Sequence, residues 1–258
     1  MMKCMRTQII YEDQQLLVIY KPVGLAAESA GIAQMDVVSE LKLYLSHGGK
    51  SSWLGLIHRL DQPVEGLLAV AKDPQTASAL SSQLRAGRMR KSYRAVLYLP
   101  PGIRPEPGVV TKLTDFMGKE GGRAKIEAAP ISGDVSGTAG RRASGRKASE
   151  MKEAILTYRI LEHHENTALA GIELETGRFH QIRCQMAFHG MPLLGDQKYG
   201  TAESMEAGRN MGIKNVALCA DSLKLIHPKT GKELCFAIEP QNVAFREFAV
   251  SDVKAQMH

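Results

Sequence analysis

Residues 66–99 read GLLAVAKDPQTASALSSQLRAGRMRKSYRAVLYL. Gly66 to Ala71 is a short, unbroken apolar run, the pattern of a strand buried on both faces. Asp73-Pro74 follows as an N-cap with proline at the first helical position. Ala77, Leu80 and Leu84 then lie along one helical face, and Gly87 supplies the stop. Ser92 to Leu99 alternates like a strand and ends at Pro100-Pro101.

The flanking sequence does not repeat this strand–helix–strand unit. On the N-terminal side, Glu12-Asp13 form an acidic turn before the apolar strand Leu16 to Tyr20, which Lys21-Pro22-Val23-Gly24 breaks. Asp36 is an N-cap for a helix with Val37, Val38, Leu41 and Leu45 at helical spacing, ended by Gly48-Gly49. Residues 101–150 are rich in Gly, Pro, Ser and Ala with few large apolar groups, and 131–149 predicts a mobile basic insert. Strand patterns return at Ala154 to Ile160 and Leu169 to Leu174, and a helix-like segment covers His180 to His189. Strands, helices and hairpin breaks thus mix without a regular βαβ alternation. That predicts an α+β fold with a mixed, largely antiparallel sheet flanked by helices. The 258 residues are read as one domain, 1–258.

Hydrophobic residues at 44% and charged ones at 23% exclude a disordered, collagenous or coiled-coil chain. The longest apolar runs are too short to cross a bilayer, and no apolar run follows the first basic residues as a secretory signal would. Four dispersed cysteines form neither a metal knuckle nor a disulfide frame, so reduced thiols in the cytoplasm are expected. The formal charge is +6, but residues 51–150 carry +7 and the rest −1. Arg85, Arg88, Arg90, Lys91 and Arg94 follow one another with no acid between them, and Arg141, Arg142, Arg146 and Lys147 form a second run. Such clusters suit a polyanion through counterion release, and a solvated basic face is the plain alternative.

Cofactor motifs fail. Gly49-Lys50-Ser51 lacks the glycine five residues earlier and the preceding strand that a phosphate loop needs. No G-x-G-x-x-G follows a strand. His163-His164-Glu165 reads as a surface turn, because adjacent strand residues point to opposite faces. His58 and His180 have no third ligand at a metal spacing, so no metal is assigned.

Two segments set dense polar groups in apolar frames. The first runs from Leu56 through His58-Arg59-Leu60-Asp61 to Lys72. It places the Asp61 carboxylate at the edge of a core, where its pKa rises unless a cation is near. The second is Glu175-Thr176-Gly177-Arg178-Phe179-His180-Gln181-Ile182-Arg183. If helical, it puts Phe179, Arg183 and Met186 on one face, with Arg183 reaching inward to a buried carboxylate.

Together these segments resemble the RluA-like family of RNA pseudouridine synthases. His58 to Asp61 with Gly66 and Leu67-Leu68 match its H-R-L-D signature, and Lys91-Ser92-Tyr93-Arg94-Ala95 match K-x-Y-x-A. Thr176 to Arg183 match T-G-R-x-H-Q-I-R, followed by Gly190, Pro192, Gly195, Asp196 and Tyr199 of G-x-P-x-x-G-D-x-x-Y. Lys21 to Leu25 are similar to the family's K-P-x-G-L, and His227-Pro228 with Thr230-Gly231 to its H-P-x-T-G. The marks run in family order over about residues 10 to 240. Glu65 departs from a small hydroxyl residue, and Cys219 lies near a position where relatives often have histidine. Both departures are expected to bear on substrate fit. Ile9-Ile10-Tyr11 leads straight into the catalytic domain, so the small N-terminal RNA-binding domain of many relatives is expected to be absent.

The resemblance implies isomerisation of uridine to pseudouridine in ribosomal or transfer RNA, without metal or cofactor, by a monomer. It implies Asp61 as the catalytic carboxylate, and the residues leave open attack or proton abstraction. Arg183 is its cationic partner, and Tyr93 stacks on the target base. Arg59 fills the gap left when the uridine leaves the stack. Arg88, Arg90, Lys91 and Arg94 are expected to hold phosphates beside Tyr93. Arg178, His180 and Gln181 join the RNA-contacting set. Two rivals stand beside this reading: an RNA binder that performs no chemistry, and a hydrolase using Asp61 with His58 or His180.

Overall fold

The structure is a computed structural model that describes residues 5–28, 35–47, 53–127 and 150–248. The expected insert at 131–149, the basic run within it, the glycine stop at 48–49 and the Gly49-Lys50-Ser51 motif lie outside those residues.

β1 (Gln8–Glu12) and β2 (Leu16–Lys21) form a hairpin on Asp13, whose Oδ1 accepts the Gln15 and Leu16 amides. α1 (Val37–His47) starts on Asp36, which accepts the Ser39 amide at 2.7 Å. The two-residue β3 (Gly55–Leu56) leads through a loop to β4 (Glu65–Ala71). α2 (Pro74–Arg85) is capped by Asp73, whose Oδ1 accepts the Thr76 amide at 2.8 Å, and has proline at its start. β5 (Arg90–Tyr98) follows. β6 (Val110–Glu120) and β7 (Arg123–Glu127) form a hairpin, and β8 (Lys152–His163) and β9 (Thr167–Leu174) form another. After α3 (Gln181–Phe188) and α4 (Ala202–Asn210), β10 (Leu218–Ile226) and β11 (Glu233–Ala237) return to the sheet. A 3-10 turn, Val243–Glu247, packs against it.

The sheet order is β1-β2-β4-β10-β5-β9-β8-β6-β7, with β11 on β10 and β3 on β4. Every pairing is antiparallel except β4 with β10. The fold is α+β with a mixed, largely antiparallel sheet, as the broken alternation predicts. Helices cover both faces, which is why β2 and β4 are buried throughout and apolar from Leu16 to Ile19 and from Gly66 to Ala71. Leu17, Ile19, Leu68, Val70 and Tyr93 pack on one face with Leu41 of α1 and Ile182 and Met186 of α3. Leu16, Val18, Leu67 and Ala69 pack on the other with Leu80 of α2. No helix of the described residues is long and apolar enough to cross a membrane.

Two sequence expectations need correction. The β6–β7 hairpin occupies residues 110–127, where the sequence reading places no strand. β6 does alternate, with Leu113, Asp115 and Met117 buried, but a buried acid and the exposed Phe116 disguise the period. Asp115 is satisfied there by the Gln185 amide at 2.7 Å. Glu65, expected to shape substrate fit, is instead a buried tie. It accepts the Tyr20 hydroxyl at 2.5 Å and the Gln241 and Asn242 amides at 3.1 and 2.9 Å. A small hydroxyl side chain could not span those three donors.

The parallel joint rests on Gly66. Its φ is +132°, and a Cβ there would lie 2.5 Å from both the amide nitrogen and the carbonyl oxygen of Ala220 on β10. Gly66→Ala is expected to cost about 3 kcal/mol, from backbone strain plus overlap that the paired strand cannot relieve. Urea denaturation of the two proteins checks this, and an unchanged midpoint would contradict the close approach.

Candidate active site

The loop between β3 and β4 is pinned from three sides. His58 is buried, and its Nε2 accepts the Ala69 amide at 3.3 Å. Burial holds its pKa well below the usual range, so the ring is neutral, with Lys91 adding to the effect. Lys21 is fully buried and donates to the carbonyls of Pro22, Leu25 and Gln62 at 2.9, 2.7 and 3.1 Å, which uses all three of its N–H groups. Burial brings its pKa down to about 7, against the pull of Asp61 and Glu65. The Gly24 amide donates to the Gln62 carbonyl at 2.9 Å, and Val64 N–H closes a turn on the Asp61 carbonyl at 3.0 Å. Leu60 and Val64 anchor the loop in the core. Asp61 therefore stands at the core edge on a fixed backbone. Lys21 belongs to a matched motif, yet nothing in the sequence indicated that it staples this loop.

α3 supplies the opposite charge. Arg183 Nη1 donates to Asp61 Oδ2 at 3.0 Å, while its Nε and Nη2 grip Asp196 Oδ2 and Oδ1 at 2.7 and 2.8 Å. Asp196 Oδ1 also accepts the Lys198 and Tyr199 amides at 2.9 and 3.1 Å. Burial opposes charge on both partners, but their bidentate bond overcomes it: the Asp196 pKa is lowered and that of Arg183 is raised. Arg183 thus reaches inward to two carboxylates. Asp196 appeared in the sequence only as a motif position, because its partner lies 13 residues away on another element.

His180 completes the cluster. Its Nε2 lies 3.4 Å from Asp61 Oδ2, and its Nδ1 shares a 2.9 Å hydrogen bond with the Tyr199 hydroxyl. That hydroxyl accepts the Ala124 amide at 2.7 Å. Burial, reinforced by Arg183 and Lys198, holds the His180 pKa down to about 4 despite Asp61. His180 is the only non-glycine residue at positive φ among the described residues, at 54°. The Arg183 and His180 contacts to the Asp61 carboxylate converge on Oδ2. Tyr93 lies buried on the same sheet face, its pKa raised by burial and then by the charge of Asp61, so it stays a neutral phenol.

The other expected site residues divide. Arg59 is solvent-exposed, within 3.9 Å of an exposed Glu28. Arg88 and Arg90 are also exposed, while Lys91 is half-buried, with its pKa lowered to about 8 by burial. Arg178 is half-buried and donates to the Glu153 carbonyl at 2.8 Å. Arg94 departs from the expectation. Strand alternation turns it to the face opposite Tyr93, where it meets Asp221 at 3.2 Å and Glu239 at 3.8 Å. Gln181 departs too, since its buried amide is taken up by Thr176, Arg178 N–H, Ile155 and Gln185. Phe179 is not on the helical face with Arg183 and Met186. The left-handed His180 ends the helical path before it, and Phe179 is 40% exposed. The described residues hold no group of three or more His, Cys, Asp or Glu side chains placed to hold a metal.

Comparison with known proteins gives this arrangement its relatives. A family model described as RNA pseudouridylate synthase matches residues 15–188. The chain is 29% identical over 244 residues to a protein of Zymomonas mobilis named ribosomal large subunit pseudouridine synthase D, covering 92% of this chain and 70% of that one. It is 32% identical over 238 residues to the Haemophilus influenzae protein of the same name, covering 87% and 64%. The chain thus spans about two thirds of the length of these relatives. Among solved structures, human RNA pseudouridylate synthase domain containing 4 superposes with a TM-score of 0.69 at 22% identity, covering 91% of this chain and 89% of that one. That likeness establishes the fold. With the family model matching well over half of its length, the chain belongs to the RNA pseudouridylate synthase family, whose reaction is the isomerisation of uridine to pseudouridine in RNA.

Proposed function

We propose that this chain isomerises uridine in large-subunit ribosomal RNA or transfer RNA, with Asp61 as its catalytic carboxylate. The observation that carries the reading is the Asp61–Arg183 pair, 3.0 Å apart at the edge of the buried core. In the reaction the bond from uracil N1 to the ribose breaks, the base turns, and C5 bonds to the same ribose carbon. The hydrogen on C5 leaves as a proton, and N1 ends protonated, so no redox partner enters the balance. With Arg183 and His180 gathered on Oδ2, Oδ1 is the oxygen turned to the substrate. Tyr93, a neutral aromatic on the same face, stacks on the extruded base. Arg59 at the exposed rim fills the vacated place in the RNA stack, and Arg88, Arg90, Lys91 and Arg178 meet phosphates.

The reading takes the protein to act as a monomer without an added cofactor. The names of the relatives make ribosomal RNA the first substrate to try, and such RNA is met in the cytoplasm. The test is tritium release from ribosomal and transfer RNA labelled at uridine C5. Release by the purified protein, with pseudouridine in the digested product, is expected. RNA that is bound but releases nothing would favour a binding protein without chemistry.

A further inference from the structure

The αL turn at His180 that ends the helical path also pushes a large apolar ring into solvent beside the active site. Phe179 is exposed and stacks on the His180 ring, with centroids 3.7 Å apart and planes 21° apart. The Lys119 ammonium stands 4.5 Å from the Phe179 centroid, so it must lie on the ring face that His180 does not cover. A second ammonium, Lys198, is 5.9 Å away. Phe179 borders a groove of about 280 Å³ that Met117, Lys119, Glu150, Lys152 and Arg178 also line. Among the described residues its one carboxylate, Glu150, faces Lys152 at 3.4 Å with both side chains more than half exposed, a pairing too solvated to neutralise the site.

An aromatic face ringed by cations is what a nucleotide needs: a platform for the base and charges for its phosphates. We infer that Phe179 is the stacking platform for a base adjacent to the target uridine, with Lys119, Lys152 and Arg178 holding the phosphates beside it. The groove neighbours the active site through one ring stack, because the ring under Phe179 is the one that lies 3.4 Å from Asp61. For the base to enter, Lys119 must leave the ring. An exposed cation–π contact is worth a factor of about two to five in affinity. Stacking a base is worth a factor of about five to a hundred, so the exchange favours the base. Lys119 then stands beside a phosphate of the bound strand.

The inference rests on an RNA substrate, but its test does not require the reaction. The probe is a uridine decaribonucleotide carrying one 2-aminopurine, whose fluorescence falls when it stacks on an aromatic ring. Phe179→Ala is expected to weaken binding about tenfold and abolish the quenching, leaving the salt slope unchanged; Phe179→Tyr keeps both. Lys119→Gln should keep the quenching and make the salt slope shallower by about one. Affinity within twofold of native and intact quenching in Phe179→Ala would overturn the platform, as would failure of the native protein to quench the probe. Tritium release reads the reaction separately. Release with an unaffected Phe179→Ala protein would sink the platform alone, and Phe179-dependent quenching without release would sink the reaction alone.

Discussion

Asp61→Asn is expected to bind RNA as tightly as the native protein and to lose tritium release by at least about 10²-fold. Asparagine keeps the shape of the side chain and an oxygen that Arg183 Nη1 can still reach, so the loop pinned by His58 and Lys21 should not move. What is lost is the charge and the lone pair that act on the substrate. The size of the loss separates the two roles left open by the residues. Loss of a general base costs about 10²–10⁴-fold, whereas loss of a covalent nucleophile costs up to about 10⁶-fold. Single-turnover tritium release at saturating RNA reads the number directly. A variant that retains a tenth of native activity would remove Asp61 from the chemistry altogether.

The second large effect is expected at Asp196, which touches no substrate in this reading. Asp196→Ala removes the bidentate partner of a buried guanidinium and strips the Lys198 and Tyr199 amides of their acceptor. Breaking one side of such a buried pair costs about 3–5 kcal/mol, and the lower end is expected here because Asp61 still faces the guanidinium. Activity should also fall, since Arg183 is then free to swing wholly onto Asp61. The pair also predicts a pH signature. The Asp196 pKa is lower in the folded protein than in the unfolded chain, where it lies near 3.9. Its stabilising contribution is therefore complete above about pH 5 and lost as acid takes the pH down through the folded value. Urea midpoints at pH 7 and pH 4 check this: the gap between native and Asp196→Ala should be wide at pH 7 and narrower at pH 4. Equal midpoints at pH 7 would contradict the role of the pair.

The fold was legible where side-chain period and caps agree. The apolar runs in β2 and β4, the Asp73-Pro74 start of α2 and the Asp36 start of α1 each announce an element without help from the rest of the chain. β6 was not legible, because its inward acid meets Gln185 on α3, a partner 70 residues away. The same distinction governs the site. Arg183 could be read as reaching inward, but Asp196 could not be read as the group it grips. The cationic run from Arg85 to Arg94 looked like one surface because charge was read along the chain. Strand alternation places Tyr93 and Arg94 on opposite faces of the sheet, and Asp221 and Glu239 claim the arginine. The αL backbone of His180 gave no signal, since glycine is the residue that marks a left-handed position and histidine, though enriched there, adopts it only occasionally.

The place of β10 between β4 and β5 sets a problem for the chain as it is made. β4 and β5 are complete early, but the strand that joins them begins about 120 residues after Tyr98, and a ribosome adding about 5–20 residues per second needs some 6–24 s to deliver it. For that interval β5 and the Glu65–Gly66 end of β4 each have an unpaired backbone edge, and β4 is apolar from Gly66 to Ala71. Such an edge is a template for mispairing with another nascent chain. Neither half of the protein completes its sheet until β10 is made, so the wait for β10 is the stretch of synthesis most open to mispairing.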